Sequence, residues 1–293
     1  MESVPTKKLL IGFIGQGFIG KNYADDFERR GYATVRYALE EPYRANGEKI
    51  QNCDIVFVAV PTPTTPEGFD DSIVQGALSL VGVGKTAVIK STVLPGTTKK
   101  LQAALSDRYI LHSPEFLAEK TAAHDAAHPN RNIIGVPEAT PAFHDRATMV
   151  LSVLPKAPYE LIADSNETEL IKYAGNTFLF FKILYANLFY DIATSIGARY
   201  EVVRDAVAAD PRIGPSHLSV VDTSGHAGAK PGRGAGGHCF IKDFAALRDL
   251  YKQVVGDDIG LEMLTALEKK NIAYLRESGK DLDLLEGVYG AHS

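Results

Sequence analysis

Leu9-Leu10-Ile11-Gly12-Phe13-Ile14-Gly15-Gln16-Gly17-Phe18-Ile19-Gly20 decides the fold. A short apolar run ends in glycines at G-x-G-x-x-G spacing and continues into a helical stretch that ends near Gly31. Strand, tight glycine turn and helix, in that order, let the backbone amides of a helix start meet a pyrophosphate. Gly15, Gln16, Gly17, Phe18, Ile19 and Gly20 are therefore the expected dinucleotide cradle, against the plainer reading of a helix–strand packing turn. An acid for the adenosine ribose is expected about 20 residues further on. The strand Thr34-Val35-Arg36-Tyr37 runs instead into Ala38, with Glu40 and Glu41 just beyond as candidates, and Arg36 leaves an NADP preference open.

Working outward, further strand-like runs occur at Thr34 to Tyr37, Ile55 to Val60, Ala87 to Lys90, Tyr109 to His112 and Asn132 to Val136, with helix-length segments between most of them. Strands alternating with helices imply a parallel sheet covered on both faces. After Pro155 and Pro158 the pattern changes, and Ser165 to Ile196 reads as one long helix with mostly helical chain after it. The expected fold class is α/β. An N-terminal Rossmann-type, doubly wound parallel sheet spans residues 1–160, and an all-helical central, dimerisation-type domain spans residues 161–293.

The chain has 293 residues, 45% hydrophobic and 23% charged, which is enough for two packed cores and excludes a disordered or fibrous protein. A formal net charge of −5 offers no basic field for phosphodiester backbones, so nucleic acid is not an expected partner. Two cysteines far apart in sequence, Cys53 and Cys239, and a segment Met1 to Lys8 too polar for secretion, fit a reducing cytoplasm. The most apolar run, Thr177 to Phe189, is interrupted by Lys182 and Asn187 and falls short of the roughly 20 residues of a spanning helix, so no membrane partner is expected.

Five segments carry candidate chemistry. Val60-Pro61-Thr62-Pro63-Thr64 and Ser91-Thr92-Val93-Leu94-Pro95-Gly96-Thr97 each follow a strand, on the rim where open α/β sheets bind ligands. Their hydroxyls can serve a nicotinamide ribose or a water, or ordinary turn chemistry. In Ser113-Pro114-Glu115-Phe116-Leu117-Ala118-Glu119, a helix begun by Pro114 would set Glu115 and Glu119 on one face, either for acid–base work or as dipole complements. Lys172 and Asn176 lie one turn apart in the long helix, where a desolvated lysine is a usable base and a snorkelling one is not. Last, Gly234-Ala235-Gly236-Gly237-His238-Cys239-Phe240-Ile241-Lys242-Asp243 delivers a cysteine to a helix start, with Asp243 one turn on. Free N–H groups and the helix dipole there can draw a thiol from roughly 8.5 towards neutrality. The chain offers no expected metal site.

In order and spacing these segments resemble the UDP-glucose/GDP-mannose dehydrogenase family, from about Lys7 to about Leu275. The resemblance is carried by GFIGQGFIG, VAVPTPT, KSTVLPGTT, SPEFLAEKTA, ETELIKYAGNTFLFFKILYANL, DPRIG and GRGAGGHCFIKD. It implies oxidation of a primary alcohol of a nucleotide sugar to a carboxylate in two NAD-dependent steps, with Cys239 forming a thiohemiacetal and then a thioester. It assigns Lys172 as base or oxyanion stabiliser, Asn176 as donor to the same oxygen, and Asp243 with Thr92 as positioners of water. Glu115 would be the acid–base partner of thioester hydrolysis. Val60, Pro61, Thr62, Ser91, Thr92 and Glu119 would contact the cofactor, and Phe116, Leu117, Glu119, Lys230 and Gly236 the substrate. Arg212 would reach a neighbouring subunit's site, which implies a homodimer on the long helix.

The chain also departs from the family pattern. A third, nucleotide-binding domain that usually follows the helical segment is not reached before Ser293, which predicts a weaker hold on the nucleotide. Ala38 to Gln51 is short, His238 replaces a small residue, Lys120 replaces a glycine, and Ser216 to Lys230 looks expanded. The substrate is therefore a nucleotide sugar or a smaller sugar-like or nucleoside alcohol. Two other readings stay open. The Lys-x-x-x-Asn pair also looks like that of single-step β-hydroxyacid dehydrogenases, and the chain could be a non-catalytic half that needs a partner chain.

Overall fold

The computed structural model describes residues 9–226 and 228–290; Met1 to Lys8, read above as too polar for secretion, lie outside the described residues. The chain divides into two compact units. The first holds the chain up to Thr62 with Asp70–Lys172, and the second holds Pro63–Phe69 with the chain from Tyr173 onward.

The first unit opens with β1 (Leu10–Ile14), α1 (Phe18–Arg29), β2 (Ala33–Tyr37) and β3 (Ile55–Val58). The antiparallel hairpin of β4 (Thr64–Thr65) and β5 (Gly68–Phe69) belongs to the second unit. The chain then returns with α2 (Ser72–Ser79), β6 (Thr86–Ile89), α3 (Thr97–Ala104), β7 (Tyr109–His112), α4 (Ala122–Ala127), β8 (Arg131–Val136), α5 (Pro141–Val153) and β9 (Tyr159–Asp164). Seven of these strands form one sheet in the order β2-β1-β3-β6-β7-β8-β9. β3 and β6 are buried at every residue, which is why they read as unbroken apolar runs. The core gathers Ile11, Phe13, Phe27, Phe57, Val88, Leu111 and Ile134, with the Phe13 and Phe57 rings stacked at 5.5 Å.

The sheet is parallel from β2 through β7, and then β8 runs antiparallel to β7. Between β7 and β8 the chain forms a turn of 3-10 helix at Glu119–Thr121 and the six-residue α4, and it returns in the opposite direction. β9 pairs in parallel with β8 and was not expected from the sequence. It is half exposed, and its YELIAD segment lies between the prolines and the long helix.

α6 (Ser165–Ser195) is the expected long helix, 31 residues in one piece, and the division between the units falls within it. The second unit continues with α7 (Tyr200–Ala208), the short ladder of β10 (Asp222–Thr223) and β11 (Pro231–Gly232), α8 (Gly237–Val254), α9 (Asp258–Ser278) and α10 (Leu282–Tyr289). Phe180, Leu184, Ala235, Phe244, Leu264 and Tyr274 form its main core, with Phe180 stacked on Phe244 at 4.0 Å. α9 is delimited by local chemistry. The Asp257 carboxylate accepts the Gly260 N–H at 2.7 Å, and Gly279 closes the helix in the left-handed region at φ 66°.

Candidate active site

In the first unit, Gly15 turns at φ 90° and its N–H donates to the Tyr37 carbonyl at 2.9 Å. A Cβ on Gly15 would lie 2.2 Å from the Ala59 carbonyl oxygen, and one on Gly20 would lie 1.9 Å from the Gly15 carbonyl oxygen. Both glycines are thus required by close backbone packing of α1 on the sheet. Gly17, at the start of α1, has nothing within 4 Å of a built Cβ, so the helix N-terminus faces open space that a pyrophosphate can fill. Gln16 donates to the Gly15 carbonyl, Phe18 is exposed, and Ile19 packs against the core. Arg36 is held by Asp25 at 2.7 Å and Glu28 at 2.6 Å. Glu40 and Glu41 are exposed beyond the end of β2.

The rim residues fasten neighbouring strand ends. The Ser91 hydroxyl donates to the Val60 carbonyl at 2.7 Å and accepts the Val60 N–H at 3.0 Å, and the Thr62 hydroxyl donates to the Thr92 carbonyl at 2.8 Å. Pro61 between them is exposed. Glu169 of α6 closes the same loop from below. Its carboxylate accepts the Gly96 N–H at 2.7 Å, and the N–H and hydroxyl of Thr98 at 2.8 and 2.6 Å. Complete burial pushes Glu169 up to about 7 against those hydrogen bonds.

The segment after β7 is not a helix, so Glu115 and Glu119 do not share a helical face. The Glu115 carboxylate accepts the N–H groups of Phe116 and Leu117 at 2.6 and 2.7 Å, a local arrangement that competes with helix formation. Glu119 is exposed at the start of the 3-10 turn. The other oxygen of Glu115 meets a lysine that the sequence marked only as a strand end: Lys90 Nζ lies 3.2 Å from Glu115 Oε2, and both side chains are 4% exposed. Lys90 also sits 4.5 Å over the Tyr23 ring. Burial depresses the Lys90 ammonium while Glu115 opposes that, and burial with the Glu115 charge raises the Tyr23 phenol. Lys172 donates its ammonium to the Glu115 carbonyl and lies 5.7 Å from the Phe116 ring, which Arg131 also covers at 3.6 Å. Tyr23, Lys90, Glu115, Phe116 and Arg131 line a cavity of about 270 Å³ within this unit.

In the second unit, Gly237 starts α8, and Cys239 is its third residue, exposed at the first turn. Asp243, one turn on, is buried. Its carboxylate accepts from the Asn176 side-chain amide at 2.6 Å and pairs with Lys242 at 2.6 Å. The helix start is not an open end, because the Gly237 N–H donates to Asp281 at 2.7 Å. The glycine loop is further pinned by Asn271, which accepts the Ala235 N–H at 2.7 Å and donates to the Ala235 carbonyl at 3.0 Å. Gly236 is buried in that loop, while Lys230 is exposed before it. Arg212 is exposed and folded onto Asp210 at 2.6 Å, and Lys182 of α6 donates to the carbonyls of Ile213 and Gly214 at 2.8 and 3.2 Å. The other cysteine is different in kind: Cys53 is buried, and burial pushes its thiol up to about 11.

A glycine-turn cradle on a mostly parallel sheet, with a helical unit that presents a cysteine at a helix start, defines a dinucleotide-binding protein with a thiol-bearing second unit. Residues 33–150 match the NAD binding domain, and residues 166–272 the central domain, of the UDP-glucose/GDP-mannose dehydrogenase family, and the chain belongs to that family. NAD is the cofactor this membership gives the first unit. The UDP-glucose 6-dehydrogenase of Rickettsia conorii is 33% identical over 260 residues, covering 84% of this chain and 55% of that protein. UDP-glucose 6-dehydrogenase TuaD of Bacillus subtilis is 34% identical over 217 residues, covering 69% of this chain and 43% of that protein. The chain spans about half the length of the curated relatives it matches. The structure of a UDP-glucose dehydrogenase from Pyrobaculum islandicum superposes with a TM-score of 0.75 at 28% identity, covering 94% of this chain and 70% of that one. A 3-hydroxyisobutyrate dehydrogenase from Mycobacterium tuberculosis, at 16% identity and a TM-score of 0.68, shares the fold alone. No helix among the described residues is long and apolar enough to cross a membrane.

Proposed function

We propose that the chain catalyses NAD-dependent oxidation of the primary alcohol of a nucleotide sugar of the UDP-glucose type, or of a related sugar or nucleoside alcohol, to the carboxylate through Cys239. The observation that carries this reading is the exposed Cys239 thiol on the first turn of α8, one turn from a buried Asp243 held by Asn176 and Lys242. An inert structural cysteine would be buried, as Cys53 is.

Gly15, Gly17 and Gly20, with Val60, Thr62, Ser91 and Thr92, are the residues that would hold NAD. Bound there, it supplies the hydride acceptor of each oxidation. The residues of the chain do the rest. Lys172 stabilises the alkoxide as the alcohol loses its proton, with Asn176 as a donor to the same oxygen. Cys239 adds its sulfur to the aldehyde carbon to form a thiohemiacetal. Loss of hydride from that carbon and of the proton from its hydroxyl oxygen gives a thioester, and water positioned by Asp243 and Thr92 cleaves the C–S bond and releases acid and thiol. Glu115 would serve this hydrolysis, with the Lys90 contact keeping its carboxylate oriented.

We also assign the exposed apolar face of α6 to a second copy of the chain. Phe178 (66% exposed), Tyr185 and Ile192 (52% exposed) recur on one side of the helix at seven-residue spacing, and exposed Ile196 follows just past its end. Arg212 lies on the neighbouring loop, as a residue reaching into a partner's site would. Sedimentation of the protein should give a dimer that Ile192→Asp converts to monomer.

The deciding assay counts NADH per molecule of product with UDP- and GDP-sugars, free sugars, sugar phosphates and nucleosides. Two NADH per acid, abolished in Cys239→Ser and Cys239→Ala, is the expected result. One NADH per substrate with indifference to Cys239 would replace this reading with a single-step alcohol or hydroxy-acid dehydrogenase. Turnover only after addition of a partner chain would make this a half-enzyme.

A further inference from the structure

The feature of the second unit that no role above uses is a buried carboxylate at the start of the cysteine helix. Asp281 lies between α9 and α10, and its side chain has no exposed surface. One oxygen accepts the Ser224 hydroxyl at 2.5 Å and the Gly237 N–H at 2.7 Å, and the other lies 2.9 Å from His226 Nε2. Burial opposes its ionisation, but the bonds from Ser224, His226 and Gly237 outweigh it and hold the carboxyl below its ordinary range. Asp281 itself adopts φ 51°, a left-handed conformation that non-glycine residues occupy only under constraint. Leu285 of α10, packed with Ile241 of α8 and Leu275 of α9, supplies part of that constraint. The neighbouring Lys280, also buried, donates to the Gly234 carbonyl at 3.1 Å. A Cβ on Gly236 would fall 2.1 Å from Asp281 Oδ2 and 2.8 Å from Lys280 Cε, so the packed carboxylate and lysine leave no room for a side chain there.

We infer that Asp281 is a positioning residue for Cys239: it fixes the glycine loop to the first turn of α8, and its charge restrains ionisation of the thiol. The functional meaning rests on the proposed role of Cys239. A carboxylate on the N–H of the first helical residue occupies the positive end of the helix dipole, and a thiolate two residues further on would draw on the same end. The other charged and titratable groups around that end are His226 from the loop before β11, His238, Lys242 and Asp243 on α8, and Lys280 beside Asp281. Of these, His226 loses its anionic partner when Asp281 is neutralised.

The test follows alkylation of Cys239 by iodoacetamide as a function of pH, read by peptide mass spectrometry on the whole chain without substrate or NAD, with buried Cys53 as internal reference. Asp281→Asn keeps an oxygen for the Gly237 N–H and removes the charge. Its alkylation midpoint should fall by roughly half a pH unit relative to wild type. A midpoint that stays or rises in folded protein overturns the inference. Should the asparagine variant not fold, Gly236→Ala carries the same test, because its methyl drives the carboxylate from its seat without altering the protein's charge. There too the midpoint should fall, and its constancy overturns the inference. The readout needs no turnover, so a wild type that makes no acid would remove the proposed function and leave the clamp standing.

Discussion

Glu169→Gln should unmask a pH dependence that the wild type conceals. Two buried groups of the first unit titrate in opposite senses on folding. Glu169 is raised from 4.5 to about 7 by burial, so the folded state binds a proton that the unfolded chain has released. Its contribution is fully present below 4.5 and is lost as pH rises through 7, which amounts to about 2.5 kcal/mol between pH 5 and 8. His112, wholly buried and bonded through Nδ1 to the Thr168 hydroxyl at 2.8 Å, is depressed by burial and by Lys90 from 6.5 to about 3. It remains neutral in the fold, so its contribution is present above 6.5 and is lost as pH falls, by about 2 kcal/mol between pH 8 and 5. The two contributions nearly cancel across that range. The glutamine keeps an oxygen for Thr98 but turns an NH₂ toward the Gly96 N–H, a fixed cost of about 1–3 kcal/mol at every pH. With the compensating titration gone, the variant should lose about 2.5 kcal/mol more on going from pH 8 to 5 than wild type does. Urea unfolding at pH 5, 6, 7 and 8 measures this directly. Parallel stability curves for wild type and variant would refute the assignment of Glu169 as a buried, proton-binding carboxyl.

Three further outcomes are expected. Lys90→Met strands the Glu115 carboxylate and should cost about 3–5 kcal/mol in thermal unfolding, most of it recovered in the double variant with Glu115→Gln; additivity of the two changes would deny the ion pair. Gly20→Ala places a methyl 1.9 Å from the Gly15 carbonyl oxygen and should destabilise the first unit by about 1–3 kcal/mol while weakening NADH binding in a fluorescence titration. Because Asp25 and Glu28 engage Arg36, NADP finds no free guanidinium for its 2′-phosphate, and NAD should bind at least roughly tenfold more tightly; equal affinities would contradict that.

Much of the fold was legible because buried parallel strands and a long helix write themselves as uninterrupted patterns. β1, β3, β6 and α6 were read within a few residues of their observed ends. β9 was missed because a half-buried edge strand leaves only weak alternation. The stretch after Ser113 was misread for a physical reason: Pro114 followed by acids is the signature of a helix start, but the Glu115 side chain folds back onto the Phe116 and Leu117 N–H groups and the chain does not continue as a helix. The proposed site residues Lys172, Asn176, Cys239 and Asp243 stood out through local spacing. Their supporting partners did not. Lys90 ends a strand and reads as an ordinary polar terminus, and its bond to Glu115 spans 25 residues of sequence that no periodicity reports. Asp281 lies 44 residues from the amide it accepts, and Glu169 lies 73 from Gly96, so each announces itself only once the chain is folded.

The hairpin Pro63–Phe69 makes both units discontinuous in sequence. The backbone passes from one unit to the other at Thr62–Pro63, at Phe69–Asp70 and at Lys172–Tyr173, so no single cut separates them. Expression of residues 173–293 alone would omit a strand pair native to that unit, and a fragment ending at Lys172 would carry the same pair without the body it belongs to. Domain shuffling by simple end-to-end fusion is therefore closed to this architecture: a transplant of the cysteine-bearing unit has to bring seven residues from the middle of the other segment with it.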